Sequence, residues 1–212
     1  MIKHTKWFKA LQKNELNLDQ KVFIDYCKNA SKIVDVGAQS GEFTYYANEN
    51  MKNGKIYSLE PDPKFVKKVG SIKEKNGNEI NIIKTAAGSE TGQAKLYNQN
   101  TGCMAEIAVK KSQKYVMVDV DTLDNIIPFE VDLIKIDVEA YEYEVLKGST
   151  THLERGTSFY VEIHDKWLRE IGLSRFDIIE LFKKYKYTEE FLWRPEHQRN
   201  WADLYYYMFT KT

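Results

Sequence analysis

The sequence predicts an α/β protein in which a mostly parallel sheet is covered by helices on both faces. Three observations carry that expectation. Short apolar runs alternate with amphipathic stretches along most of the 212 residues, the pattern that builds βαβ units with right-handed crossovers. A glycine-bearing turn, Gly37-Ala38-Gln39-Ser40-Gly41, follows the first apolar run, and Glu60-Pro61 closes the second. Two later runs, Leu133 to Glu139 and Phe159 to His164, carry polar or charged residues on one face only.

Taken in order, Val22, Phe23, Tyr26, Cys27 and Ala30 recur at helical spacing behind Asp19, a candidate N-cap, and predict an amphipathic helix over 19–30. Residues 32–37 form the first strand, Glu42 to Asn50 a crossover helix and Lys55 to Leu59 the second strand. Pro61 and Pro63 punctuate the start of a helix over 63–75, Asn76-Gly77-Asn78 stops it, and Ile80 to Ala86 is the third strand. Residues 88–120 break the alternation: Ala94 to Tyr97 and Tyr115 to Val120 have strand character with no convincing helix between them, so a β insertion is expected. Val131 to Val138 is a strand, Tyr141 to Lys147 a short helix closed by Gly148, and Phe159 to Ile163 a strand. Ser174 caps a helix faced by Phe176, Ile178, Ile179, Leu181 and Phe182, and Leu204 to Phe209 is a final strand. Residues 1–212 are expected to form one domain with an N-terminal helical cap, 1–30, and a β insertion, 88–120.

Bulk composition narrows the partners. Lys+Arg and Asp+Glu are both 31, so no global field recruits nucleic acid or anionic membrane. Cys27 and Cys103 have no C-x-x-C spacing, which argues against a zinc site or a disulfide scaffold and fits a reducing compartment. The N-terminal stretch lacks an apolar core of signal-peptide length, and no apolar run approaches the ~20 residues of a membrane span. A cytoplasmic protein with no membrane and no nucleic-acid partner is expected.

The turn and Glu60 have the chemistry of a nucleoside pocket. Gly37 and Gly41 let the backbone turn sharply and approach a ligand, and the helix start that follows offers unpaired amides. An acid at the end of strand two can accept hydrogen bonds from a ribose diol. A dinucleotide fingerprint needs G-x-G-x-x-G, but Gln39 occupies the middle glycine's position and the pyrophosphate loses its place. The D-x-G-x-x-x-G run with a downstream acid instead resembles motif I of S-adenosylmethionine-dependent methyltransferases.

Period-two geometry puts Lys135, Asp137 and Glu139 on one face of their strand, and Tyr160, Glu162 and His164 on one face of theirs. Charges inside a sheet cost several kcal/mol each to desolvate, so they must be paired or line a wet cleft. With the strands adjacent, Lys135 is expected to pair with Glu162, while Asp137, Glu139 and His164 gather at the C-terminal strand ends where open α/β sheets bind ligands. Asp35 ends the first strand at the same edge. His4 and His152 lie outside the constellation and are expected at the surface.

In the order Val34 to Thr44, Leu59-Glu60-Pro61-Asp62-Pro63, Asp121-Thr122-Leu123-Asp124, Asp132 to Glu139 and Tyr160-Val161-Glu162-Ile163-His164, the chain resembles the FkbM-type methyltransferases. Two positions depart from the family pattern: Glu139-Ala140 stands where the family usually has Glu-Gly, and Gln39 where it commonly has Asn. The resemblance implies a Rossmann-like class I methyltransferase fold, a mostly parallel seven-stranded sheet with an antiparallel last strand. It implies S-adenosyl-L-methionine as cofactor and methyl transfer to a hydroxyl of a sugar or other small metabolite. Asp35, Gly37, Ala38 and Gly41 would then hold the cofactor's amino-acid end, Glu60 with Pro61 its ribose, Thr85-Ala86-Ala87 the adenine, and Asp137 would lie beside the sulfonium.

An alcohol acceptor must lose its proton in or near the transition state. His164 or Glu139 is the candidate base, with Asp137 and Glu162 orienting it and Lys135 completing the site as the partner of Glu162. No metal is assigned, although Asp137, Glu139, Glu162 and His164 are competent ligands for a hard cation. Two alternatives remain open: N-methylation of an amine or protein side chain, and a non-catalytic cofactor-binding module. Trp193, Arg194, His197, Arg199 and Trp201 on the loop 191–201 could border the acceptor, and Asn98 to Met104 could serve as a lid.

Overall fold

The computed structural model describes residues 16–98, 105–106, 115–194 and 203–211. Strands β1 (Lys32–Val36), β2 (Lys55–Leu59), β3 (Glu79–Ile83), β8 (Leu133–Ile136), β9 (Ser158–His164), β10 (Tyr187–Trp193) and β11 (Leu204–Lys211) make one sheet, in the order β10-β11-β9-β8-β1-β2-β3. The ladders β8-β1, β1-β2, β2-β3 and β8-β9 are parallel, whereas β11 runs antiparallel to both β9 and β10. This is the class I methyltransferase arrangement. The order reverses between β1 and β8, the switch point where such sheets open a crevice at their C-terminal edge.

Two hydrophobic layers sandwich the sheet. Val34, Val36, Ile134, Ile136, Phe159 and Val161 pack on one face, joined by Ile178 and Phe182 of helix Arg175–Lys184. Ile33, Ile56, Leu133 and Tyr160 pack on the other against Phe23 of helix Leu18–Cys27 and Tyr46 of helix Glu42–Asn50. Near-complete burial of the central strands on both faces is what the continuous apolar runs require.

Several elements depart from the sequence reading. Asn17, not Asp19, caps the first helix, in a capping box with Gln20. Asp19 is instead turned inward, 3 % exposed, where its Oδ2 accepts the Tyr160 hydroxyl at 3.1 Å. The helix expected over 63–75 spans only Pro63–Val69, capped by Asp62. Beyond it the Asn48 side chain bonds Lys73 O and Lys75 N and holds the segment in a non-helical path. The third strand ends at Ile83, because Thr85 turns the chain and donates to Asp119 O at 3.0 Å.

Ala86–Gly88 (β4) belongs to a second sheet, β4-β7-β5-β6, with β5 at Gly92–Asn98, β6 at Ala105–Glu106 and β7 at Tyr115–Thr122. The expected β insertion therefore starts two residues earlier and ends two later than 88–120. Strand β10 and the helices Thr150–Arg155 and Asp165–Glu170 are additions to the elements read from sequence. His152, expected at the surface, is fully buried and its Nε2 bonds Ile127 O at 3.0 Å. His4, Cys103, the segment 99–104 and residues His197, Arg199 and Trp201 lie outside the described residues. No helix among the described residues is long and apolar enough to cross a membrane.

Candidate active site

The glycine turn caps the sheet at the switch point. Its first amides are engaged by the neighbouring strand, with Gly37 N and Ala38 N both donating to Leu59 O at 3.0 Å. Gly37 has φ +77°, and a Cβ there would lie 1.9 Å from the Asp137 carbonyl oxygen, so no other residue fits without moving the backbone. Gly41 has φ +86° and faces inward, where a Cβ would meet Ile72 Cδ1 at 2.6 Å. Gly41 thus seats its helix against Ile72.

Two concavities meet at Gly37, Gln39 and Asp137. The first is a cleft enclosing about 640 Å³, open solvent at its mouth included, between apolar walls of Leu59, Phe65, Ala87 and Leu96. Of the expected cofactor residues it is lined by Gly37, Glu60, Pro61, Ala86 and Asp137, and Thr85 and Glu139 also face it. Its size and mostly apolar lining suit a nucleoside. The second concavity is polar and lined by Asp19, Glu42, Asp137, Glu162, Lys135 and Tyr206, with Ala38 beside them.

Glu60 is 4 % exposed and accepts the amides of Gln39 (2.7 Å) and Asp62 (2.8 Å). Burial outweighs those bonds and pushes its carboxyl up to about 7. A carboxyl raised on folding contributes stability below its unfolded value near 4.5, and that contribution is lost as pH rises towards 7. Glu60→Gln is therefore expected to flatten the ligand-free protein's stability profile between these limits by about 3 kcal/mol. Chemical denaturation at pH 4.5, 6 and 8 checks this, and equal slopes for both proteins would contradict it.

Asp35 does not reach the first cleft. It is 1 % exposed, its Oδ2 accepts Thr44 Oγ1 at 2.6 Å, and its Oδ1 lies 3.0 Å from Lys135 Nζ. The ion pair expected between Lys135 and Glu162 is thus replaced by one with Asp35, because the ladder register places Lys135 beside Asp35 on β1 and beside Tyr160 on β9. Lys135 also approaches Asp137 at 3.6 Å and donates to Gly37 O at 2.9 Å, which ties the charge pair to the turn. Burial opposes its charge, but Asp35 and Asp137 prevail and hold the ammonium above its ordinary value. These contacts bind Lys135 into the fold beneath the turn, while it still lines the polar concavity.

Beyond Ile136 the chain leaves the ladder. Glu139 and Ala140 both adopt left-handed conformations, φ 57° and 76°, a strained pair for residues with a Cβ. The turn carries Glu139 to His164, whose Nε2 lies 3.5 Å from Glu139 Oε2, 3.6 Å from Glu162 Oε1 and 4.0 Å from Asp137 Oδ1. Asp137, Glu139 and His164, expected together at this edge, are thus brought together and joined by Glu162, which was expected to pair with Lys135, whereas Asp35 is drawn away to Lys135. Glu142, which the sequence reading did not single out, fixes the ring: its Oε1 bonds His164 Nδ1 at 2.9 Å and accepts Ala140 N at 3.0 Å. Trp167 stacks on the imidazole with centroids 5.1 Å apart and planes 2° from parallel. Nothing in the local sequence distinguishes Glu142 from any acid in a helix's first turn.

Burial disfavours an imidazolium, but Glu139, Glu142 and Glu162 around it push the His164 pKa well above its ordinary value. Burial and the nearby Asp137 raise Glu162 as well, against the opposing pull of His164. The acids around His164 thus favour its charged form, and Glu139 lies beside it at 3.5 Å.

A doubly wound sheet with a glycine turn, an acid after β2 and a polar cluster at the ends of β8 and β9 defines a methyltransferase of the class I type. The chain belongs to the FkbM methyltransferase family: residues 35–189 match the Methyltransferase FkbM domain. Among solved structures it is similar to methyltransferase FkbM from Methylobacillus flagellatus KT, with a TM-score of 0.59 and 17 % identity, covering 84 % of this chain and 43 % of that one. The chain thus spans less than half the length of that relative. It also resembles SMU.1697c, a putative methyltransferase from Streptococcus mutans in complex with SAH, with a TM-score of 0.58, 12 % identity and coverage of 93 % and 99 %. An rRNA methylase from Streptococcus thermophilus shares the fold at a TM-score of 0.55 and 14 % identity over 90 % of this chain and 94 % of that one. No curated protein sequence matches the chain.

Proposed function

We propose that the protein transfers a methyl group from S-adenosyl-L-methionine to a hydroxyl of a sugar or other small metabolite. The observation that carries this reading is the meeting of the two concavities at Gly37 and Asp137, beside the Glu139-His164 cluster. The residues present fit the cofactor. Gly37 lines both concavities, the Glu60 carboxylate is an acceptor for a ribose diol, and Leu59, Phe65 and Leu96 offer apolar walls for an adenine. The polar side, with Ala38 and Asp137, suits the charged amino-acid end.

When bound, the cofactor supplies an electrophilic methyl group on a sulfonium, so positioning accounts for much of the rate. This chain's residues would do the rest. Glu139 would take the acceptor's hydroxyl proton, the acceptor oxygen would gain the methyl, and S-adenosylhomocysteine would leave. Glu142 and Trp167 would hold His164 so that its charge steadies Glu139 and Glu162. Carboxylates at Asp19, Glu42, Asp137 and Glu162 disfavour a polyphosphate acceptor at the polar concavity, which supports a small molecule over RNA.

The test has two parts. Calorimetric titration is expected to show one S-adenosylhomocysteine site per chain. Incubation with methyl-labelled cofactor and cell extract, followed by separation into nucleic acid, protein and metabolite fractions, is expected to place the label on metabolites as an alkali-stable ether. Label confined to RNA or protein would overturn the acceptor class, and absence of cofactor binding would overturn the reading altogether.

A further inference from the structure

We infer that Asp137, Glu162 and His164 form a divalent-cation site at the edge of the sheet. One donor atom from each lies within 4.8 Å of the other two. His164 Nε2 is 3.6 Å from Glu162 Oε1 and 4.0 Å from Asp137 Oδ1. Those separations exceed the ~3.2 Å reach of a good hydrogen bond. They match the edges of a coordination shell instead, since donors about 2.1 Å from a shared cation stand roughly 3 to 4.2 Å apart.

A second observation is the histidine itself. His164 is 4 % exposed, and its Nε2 makes no hydrogen bond among the described residues although it points into the carboxylates. The opposite ring nitrogen is held by the buried Glu142 at 2.9 Å, which fixes the ring and aims Nε2, whose proton a bound cation would displace, at the cluster. A carboxylate behind a histidine, fixing its tautomer, is the arrangement that supports metal ligation. Asp137 and Glu162 both line the polar concavity, which gives a cation and its remaining ligands a route in. Two carboxylate oxygens and one imidazole nitrogen suit a borderline divalent ion such as Mn²⁺, with open positions for an acceptor's oxygens.

The binding site stands on this geometry, whereas its use rests on the proposed O-methylation. There the cation would orient the acceptor and acidify its hydroxyl, so that Glu139 receives the proton more readily. The experiment uses the full chain, stripped with EDTA and desalted, with Mn²⁺ as the probe. Loss of the free-ion electron paramagnetic resonance signal on titration is expected to give one site per chain, with nitrogen modulation in the spin echo from the imidazole. His164→Gln and Glu162→Gln are each expected to weaken Mn²⁺ binding at least tenfold, and Glu142→Gln roughly tenfold by releasing the ring. Thermal melting and S-adenosylhomocysteine titration of each variant separate loss of metal from loss of fold or of the cofactor site. Absence of Mn²⁺ binding by the stripped wild-type chain would overturn the inference. So would Mn²⁺ binding that lacks nitrogen modulation and survives both the His164 and Glu162 substitutions. Mn²⁺ binding without methyl transfer to any hydroxyl would leave the site standing and remove the proposed reaction.

Discussion

Lys135→Met is expected to destabilise the fold by about 3–5 kcal/mol, the cost of leaving a buried partner charge uncompensated. At this chain length that is a fall in melting temperature of roughly 6–20 °C. The reason is Asp35, 1 % exposed and 3.0 Å from the ammonium, which would keep only the Thr44 hydroxyl at 2.6 Å. Loss of Lys135 would also free Gly37 O, whose bond to Nζ at 2.9 Å braces the turn. The double variant Asp35→Asn, Lys135→Met removes both charges and is expected to recover much of the loss, because a buried pair replaced as a unit costs far less than one broken. Thermal or urea unfolding of the two variants decides the matter. A single variant within 1 kcal/mol of wild type would show that Asp35 finds solvent or another cation, contrary to its burial.

That pair also shows where sequence reading stopped. Alternation along Leu133 to Glu139 correctly separates Ile134 and Ile136, packed in one hydrophobic layer, from Lys135. Period two does not say which strand lies alongside or in what register, so it pairs Lys135 with Glu162 although Asp35 stands level with it. Strong local signals fared better. Helix Glu42–Asn50 begins where Gly41 turns left-handed, and β2 ends at Leu59 before Glu60-Pro61, as expected. Strand β10 escapes a sequence reading because Glu189 and Glu190 in its middle are exposed edge residues with weak strand preference. Asp19 reads as a cap because capping acids and inward-facing acids look alike until the fold sets Tyr160, 141 positions away, against it. The same holds for Glu142 and His164, 22 positions apart and joined only by folding. The candidate site was legible as a set of residues at one edge; its internal wiring depended on register and on a turn whose left-handed Glu139 and Ala140 the sequence did not announce.

Glu139→Gln is expected to lower the methyl-transfer turnover number by a factor of about 10²–10⁴, the range of a general base, while S-adenosylhomocysteine binding and melting temperature stay close to wild type. The carboxylate faces the same cleft as Gly37 and Glu60 and sits 3.5 Å from a histidine whose charged form the surrounding acids favour. A glutamine keeps the side chain's size and removes its capacity to take a proton. Single-turnover measurement with the extract fraction that supports transfer separates this chemical step from product release. His164→Gln offers the contrast. If His164 steadies the carboxylates instead of accepting the proton, its loss should displace the pH profile of turnover as well as reduce its height, since removal of a positive neighbour raises the carboxylate pKa and moves the active form to higher pH. Glu139→Gln at wild-type turnover, with His164→Gln inactive at every pH, would return the base to the histidine. The strained turn adds an internal check: Ala140→Gly relieves a left-handed residue that costs about 1–2 kcal/mol. It is expected to stabilise the fold while loosening the grip on Glu139, so turnover should fall as melting temperature rises, a pairing that a purely structural turn would not produce.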